Sequence, residues 1–305
     1  MNYESSVSTG LKGVPRHRLW VLSDLQQSDP VNASRCMHTG VEDFLSLGLA
    51  VDAVCYLGDS TEGSKLAHLE EMADMQVREL ARVDAPVYYV MGNHEFDYHR
   101  WVEGASALTI PMRDRILREP QWHTTASPLD WSLSVDLGDL VLFLLSDRCD
   151  PADRTWVTTH CGQRDIINVA MAPHDFAADA EAVRGEMAAI QKPFFTFSHY
   201  SFPGGNRDGE GPFQEMLLPL PPNVVAHFYG HSHIGDHHWG GRNVSRQIST
   251  VNDSAITQFD IASLENRRGS AIRSAIVEWY GGRHFGVFYR NHSEGRWEKC
   301  LLENV

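Results

Sequence analysis

Thiols are scarce in this chain. Five cysteines occur among 305 residues, at Cys36, Cys55, Cys149, Cys161 and Cys300, with no CxxC pair and an odd total. That argues against a disulfide framework or a thiolate zinc site, and a reducing, cytoplasmic setting is expected. Positive charge is also short, with 26 Lys and Arg against 40 Asp and Glu, a formal net charge of −14. Broad contact with nucleic-acid phosphates needs Lys and Arg, so nucleic acid is not an expected partner. A small phosphate substrate stays open, because bound metal ions reverse the local field. No apolar run approaches the roughly 20 residues that span a bilayer, so no membrane partner is expected. The opening "MNYESSVSTGLKGVPRHR" lacks the apolar stretch of a signal peptide. There is no internal repeat, no low-complexity segment and no clear linker.

What is present is a globular composition, 42% hydrophobic and 22% charged, with sixteen histidines gathered partly in short clusters. Residues 1–17 read as a lead-in and 18–305 as one domain. "RLWVLSD", "DAVCYLGD" and "APVYYVMGNHE" read as buried strands. They alternate with helical spacing in "HTGVEDFLSLGLAV" and in "SKLAHLEEMADMQVRELARV", whose apolar positions are Leu66, Leu69, Met72, Met75 and Leu80. That alternation predicts a parallel sheet covered by helices, an α/β fold. Further on, "WSLSVDLGDLVLFLLSD" predicts a hairpin turning at Leu137–Gly138–Asp139. A helix is expected over "HDFAADAEAVRGEMAAIQ", then strands in "PFFTFSHYS" and "NVVAHFY". "AIRSAIVEWYGGRHFGVFYRNH" reads as a closing hairpin around Gly281–Gly282. Residues 148–175 read as an excursion, either a substrate-selecting lid or plain surface.

Five polar clusters each follow an apolar strand: Asp24 with Gln26, Gly58–Asp59, Gly92–Asn93–His94–Glu95, His199, and Gly230–His231–Ser232–His233. In open α/β sheets ligands gather beyond the carboxyl ends of strands, so all five can share one rim. Singly, each has an ordinary explanation. An acid after a strand is commonly a turn or helix-cap residue, and a histidine there is commonly a satisfied core or surface group. Together and in this order they point to a metal site of carboxylate, amide and imidazole donors, a mixed set suited to manganese, iron or zinc. The donors are too many for one tetrahedral ion, and a shared carboxylate would allow two.

With "DLQ", "GD", "GNHE", a lone His in "SHYS" and "GHSH" in order over residues 24–233, the chain resembles the calcineurin-like metallophosphoesterase superfamily. The resemblance implies a four-layer α/β/β/α sandwich with two central mixed sheets. It also implies a dinuclear hydrolase in which two divalent ions activate a water against phosphorus. Asp59 would then bridge, Asp24, Gln26 and His233 would complete one metal site, and Asn93, His199 and His231 the other. His94 would be the catalytic imidazole. The expected substrate is a small phosphodiester, pyrophosphate or phosphomonoester. A cyclic-nucleotide phosphodiesterase, a nuclease and a non-catalytic binding scaffold on the same fold are the rivals.

Gln26 departs from the pattern, which usually has imidazole there. An amide oxygen is a harder, weaker donor, and it shifts the site toward Mn²⁺ or Mg²⁺ and away from Zn²⁺. The same Gln marks a branch of manganese-dependent ADP-ribose and CDP-alcohol diphosphatases, to which "DLQ" and "GNHEFDYHRW" look similar. Arg207, in the Gly-rich loop after His199, is a candidate for substrate phosphate, against the reading of a solvated loop arginine. Asp97 and His99 could orient His94, and Asp147 and Arg148 could face the site. Trp101, Trp156 and Trp239 could stack on a base, though core packing is the simpler role. His237 and His238 read as loop groups outside the ligand set.

Overall fold

The computed structural model describes residues 13–27, 29–62, 68–96, 110–127, 130–146, 149–150, 155–156, 176–205, 212–233, 246–251, 254–266 and 270–304. Arg207, Asp97, His99, Trp101, Asp147, Arg148, His237, His238 and Trp239 lie outside the described residues, as does most of the expected excursion.

The first sheet takes β1 (His17–Leu22), β2 (Ala53–Tyr56), β3 (Val87–Tyr89) and β4 (Trp122–His123) from the N-terminal half. The second half begins with β5 (Ser132–Asp136) and β6 (Val141–Leu145), and β7 (Cys149–Asp150) pairs only with β8 (Thr155–Trp156). Then come β9 (Phe194–Ser198), β10 (Val224–Tyr229), β11 (Arg246–Val251) and β12 (Ser254–Asp260). Last are β13 (Arg273–Gly281), β14 (His284–Asn291) and β15 (Arg296–Asn304). The first sheet runs β15-β14-β13-β1-β2-β3-β4 and the second β11-β12-β10-β9-β6-β5. Both are mixed. β1, β2 and β3 are mutually parallel, as are β6, β9 and β10, while the outer hairpins are antiparallel.

Side-chain alternation along the strands builds the layers. Trp20 and Leu22 of β1 face outward, against α1 (Pro30–Ser46), α2 (Leu69–Leu80) and α3 (Pro111–Ile116). Leu19 and Val21 face inward and meet Leu142, Leu144, Phe195 and Phe197 between the sheets. The far face of the second sheet packs Phe143 and Phe194 on α4 (Phe176–Ala189) and α5 (Pro212–Met216) through Val183, Met187 and Phe213. Strands covered on both faces read as unbroken apolar runs, which is why β1, β2, β6, β9 and β10 were legible. The result is the expected α/β/β/α sandwich.

Three local expectations shift. β1 begins at His17, one residue inside the expected lead-in, because His17 pairs with Trp279 of β13. α1 begins eight residues before "HTGVED". Its start is set by Asp29, whose side chain accepts from Val31 N–H at 3.1 Å, and by Pro30 in the first turn. The β11–β12 pair and β15 were not expected at all. Among the described residues no helix is long and apolar enough to cross a membrane.

Candidate metal centre

β1, β2 and β3 end side by side on the first sheet, and β9 and β10 end side by side on the second. Each releases a polar loop at its carboxyl end, and backbone hydrogen bonds staple these loops together. Asp24 N–H donates to Gly58 O at 3.1 Å and Gln26 N–H to Asp59 O at 3.0 Å, joining the loops after β1 and β2. Gly230 N–H donates to His199 O at 3.1 Å, joining those after β9 and β10. His94 N–H donates to Asp59 Oδ1 at 2.9 Å, and His231 N–H to Asp24 Oδ2 at 2.9 Å, which crosses from one sheet to the other.

Such close approach demands glycine. A Cβ on Gly230 would stand 1.9 Å from Ser23 Oγ and 2.5 Å from Asp24 Oδ2, and one on Gly92 would stand 2.5 Å from Asp59 Oδ1 and 2.9 Å from His199 Cδ2. The ligand residues themselves are turned hard. Asp24, Asp59, His231 and His233 have φ of 54°, 49°, 66° and 43°. Left-handed backbone is costly outside glycine, though Asp and His tolerate it better than most. Four such residues at one point is a concentration of strain of the kind that marks functional sites.

Two groups of donors result. Asp59, His199 and His231 form one, Asp24, Asp59 and His233 the other, with the ligand atoms of each within 4.8 Å of one another. Asp59 belongs to both. His199 Nδ1 lies 2.8 Å from Leu57 O, an oxygen that can only accept, so the proton of the neutral ring is on Nδ1. Its Nε2 lone pair then faces Asp59 Oδ2, Asn93 Oδ1 and His231 Nδ1, each at 3.1 Å. His233 repeats the device, with Nδ1 at 2.6 Å from Glu265 Oε1 and Nε2 at 3.1 Å from Asp24 Oδ1. Asp24 Oδ1 and Asp59 Oδ2 are buried and have no hydrogen-bond partner among the described residues. Buried polar atoms are nearly always satisfied, so two orphaned carboxylate oxygens facing imidazole lone pairs fit a cation on each side of Asp59.

The electrostatics agree. Burial opposes the charge on Asp59, but the imidazoles of His199, His94 and His231 outweigh it and hold the carboxyl well below the usual range. Burial likewise opposes a charge on His233, yet without an ion Asp24 and Glu265 push its imidazole up to about 10, so a proton holds the Nε2 position that an ion would take. Proton and divalent ion compete for the same Nε2 lone pair, so metal uptake there releases a proton.

Of the residues singled out in the sequence, Asp24, Asp59, Asn93, His199, His231 and His233 are gathered at this point. Gln26 is buried on the same loop as Asp24, and His94 is half-buried on a 3₁₀ turn (His94–Phe96) directly after Asn93. Three supporting residues, Tyr200, Asp260 and Glu265, were not singled out, and a fourth, Glu95, was named only as part of its cluster. Glu95 accepts from Asp59 N–H at 3.0 Å, Ser60 N–H at 2.7 Å and Gly92 N–H at 2.7 Å, binding the loops after β2 and β3 into one unit. Burial and the Asp59 charge raise its carboxyl, against the pull of hydrogen bonds from Tyr89 and Ser60. Tyr200 donates its phenol to Asn93 Oδ1 at 3.3 Å, which turns the amide oxygen toward His199. Asp260 accepts from Ser232, between the two ligand histidines, and Glu265 holds His233. Glu95 completes the "GNHE" cluster and Tyr200 adjoins His199, so position alone could have suggested both. Asp260 and Glu265 carried no such signal.

A family model described as calcineurin-like phosphoesterase matches residues 17–235. No curated protein sequence matches the chain. Among solved structures the chain is similar to a dimetal phosphatase from Danio rerio, at 13% identity and a TM-score of 0.63, covering 94% of this chain and 98% of that one. It is also similar to a purple acid phosphatase from yellow lupin (Lupinus luteus) seeds, at 10% identity and a TM-score of 0.56, covering 94% of this chain and 53% of that one. At such identities the likeness is one of fold.

Proposed function

The chain belongs to the calcineurin-like phosphoesterases, and we propose that it is a dinuclear, manganese-dependent hydrolase of small nucleotide-like phosphodiesters or pyrophosphates. The observation that carries this reading is the shared Asp59. Its carboxylate stands between two imidazole-bearing donor groups, and its Oδ2, like Asp24 Oδ1, is buried without a hydrogen-bond partner among the described residues. In the roles we assign, Asp24, Gln26 and His233 hold one ion, Asn93, His199 and His231 the other, and Asp59 both. Held by these residues, two divalent ions would supply Lewis acidity to phosphoryl oxygens and a water of lowered pKa as nucleophile at neutral pH.

The chain's own residues do the rest. Glu95 and the backbone staples keep the donors fixed, so little reorganisation accompanies the developing charge. His94, held beside Asp59 by its own N–H, is assigned to stabilise the phosphoryl oxygens and to hand a proton to the departing alkoxide. Gln26 supplies a neutral oxygen where imidazole would bind zinc more firmly. The Asp24 ion is therefore the more exchangeable one, and manganese suits it. The excess of acidic residues favours a small substrate over a nucleic acid.

The test is a panel assayed on chelator-stripped protein with and without added Mn²⁺. It includes bis-p-nitrophenyl phosphate, p-nitrophenyl phosphate, a cyclic nucleotide and ADP-ribose. Manganese-dependent turnover is expected, greatest on a diester or pyrophosphate. His94→Ala should lose about 10²–10⁴-fold in turnover while keeping its metal. Absence of metal-dependent turnover on every compound would leave a binding scaffold as the better description.

A further inference from the structure

The segment Asp260–Glu265 lies beyond the residues that the family model covers, yet it grips the Asp24 half of the metal centre. Leu264 N–H donates to Ser23 O at 2.9 Å and Glu265 N–H to Asp24 O at 3.1 Å, so its backbone runs along the Asp24 loop. Asp260 Oδ1 accepts from Ala262 N–H at 2.9 Å, which supports a left-handed turn at Ala262 with φ of 66°. That turn delivers Glu265, 1% exposed, to His233 Nδ1 at 2.6 Å.

We propose that Glu265 is a positioning residue for the Asp24 half of the centre, holding the His233 ring in the tautomer whose Nε2 lone pair is presented beside Asp24. This rests on the two-ion reading above. A plain structural role does not account for the side chain. The clip between this segment and the Asp24 loop is made by backbone groups that any residue would supply. A carboxylate buried without such a role costs several kcal/mol, which a neutral residue would avoid. The two halves of the centre also differ. His199 is oriented by a neutral carbonyl, that of Leu57, and His233 by an anion. A carboxylate behind a ligand imidazole fixes its tautomer and raises its basicity, and losing one typically costs 10–100-fold in metal affinity. On the Asp24 side this offsets the weak amide donor at Gln26.

The test is calorimetric titration of the chelator-stripped full-length chain with Mn²⁺ alone, with thermal melting in chelator run alongside as a measure of fold. Wild type should show two binding events. Glu265→Leu should weaken one of them about 10–100-fold and leave the other within about threefold. His233→Ala should affect the same event. Glu265→Gln keeps the volume and an oxygen that accepts from Nδ1–H, so it should hold affinity within about tenfold of wild type and better than the Leu variant. Equal weakening of both events, no weakening, or a Gln variant no better than Leu would overturn the proposal. If Glu265→Leu does not fold, Glu265→Gln decides alone: a loss of up to about tenfold confined to the event that His233→Ala also weakens upholds the proposal, and no loss, a larger loss or an equal loss in both events overturns it. Should wild type bind a single ion, the two-ion reading fails by itself. Glu265 is then upheld if Glu265→Leu and His233→Ala weaken that ion together, and overturned if Glu265→Leu leaves it unchanged.

Discussion

Gly230→Ala adds one methyl group at the most crowded point of the molecule, and its effect can be worked from distances. The new Cβ would stand 1.9 Å from Ser23 Oγ and 2.5 Å from Asp24 Oδ2. The serine hydroxyl can rotate away, but Ser23 Cβ is itself only 2.8 Å off, so its backbone must follow. Asp24 Oδ2 has to retreat by about 0.5 Å to reach even 3.0 Å, and it is the acceptor for His231 N–H at 2.9 Å. Overpacking costs about 1–3 kcal/mol. Weakening a buried hydrogen bond to a charged group costs about 1.5–3 kcal/mol more. The lower sum, about 2.5 kcal/mol, corresponds to a fall of roughly 5 °C in melting temperature at about 2 °C per kcal/mol. Metal affinity should fall as well, because the displaced atoms belong to Asp24 and to the turn bearing His231. Gly185→Ala is the control. It lies in α4 with nothing within 4 Å of the added Cβ, and should gain about 0.5–1 kcal/mol from helix propensity. Circular-dichroism melts with and without Mn²⁺ make the comparison. A Gly230→Ala protein melting within about 1 °C of wild type with unchanged metal uptake would refute the claim that loop contact shapes the site.

Two other outcomes follow from groups around the core. Asp43, bound by Arg290 at 2.7 and 2.8 Å and by His292 Nδ1 at 2.8 Å, is held down at about 2, since those partners outweigh the effect of burial. Its stabilisation is complete above the unfolded pKa and is lost as pH falls toward 2. Linkage puts the loss between pH 6 and pH 3 at about 1 kcal/mol, so urea melts at those two pH values should differ by about that much less in Asp43→Asn. Tyr200→Phe removes the phenol that orients Asn93 and should weaken metal binding by about tenfold, with only about 1 kcal/mol lost from stability. Isothermal titration and melting separate these two effects.

The parts legible in the sequence were those fixed by local pattern. Strands buried on both faces announced themselves as apolar runs, and each ligand cluster followed one directly. Glycine before Asp59, Asn93, His231 and the intervening loops was a readable sign of close approach, though only the structure shows what approaches. The start of α1 was hidden because "DPVNASR" is polar and its cap depends on Asp29 alone. β15 was missed because it pairs only with β14 and its described side chains are mostly half-buried, which blurs any alternation. Glu265 and Asp260 could not have been found, since they reach His233 and Ser232 across about thirty residues and their roles exist only after β12 has paired with β10.

The central claim is that Asp59 is shared by two ions. Metal analysis of wild type and Asp59→Asn after loading with Mn²⁺ tests it most directly. Two equivalents in wild type are expected, with both weakened in the variant because each ion loses the same carboxylate charge. A single equivalent in wild type, or two retained with undiminished affinity in Asp59→Asn, would contradict it.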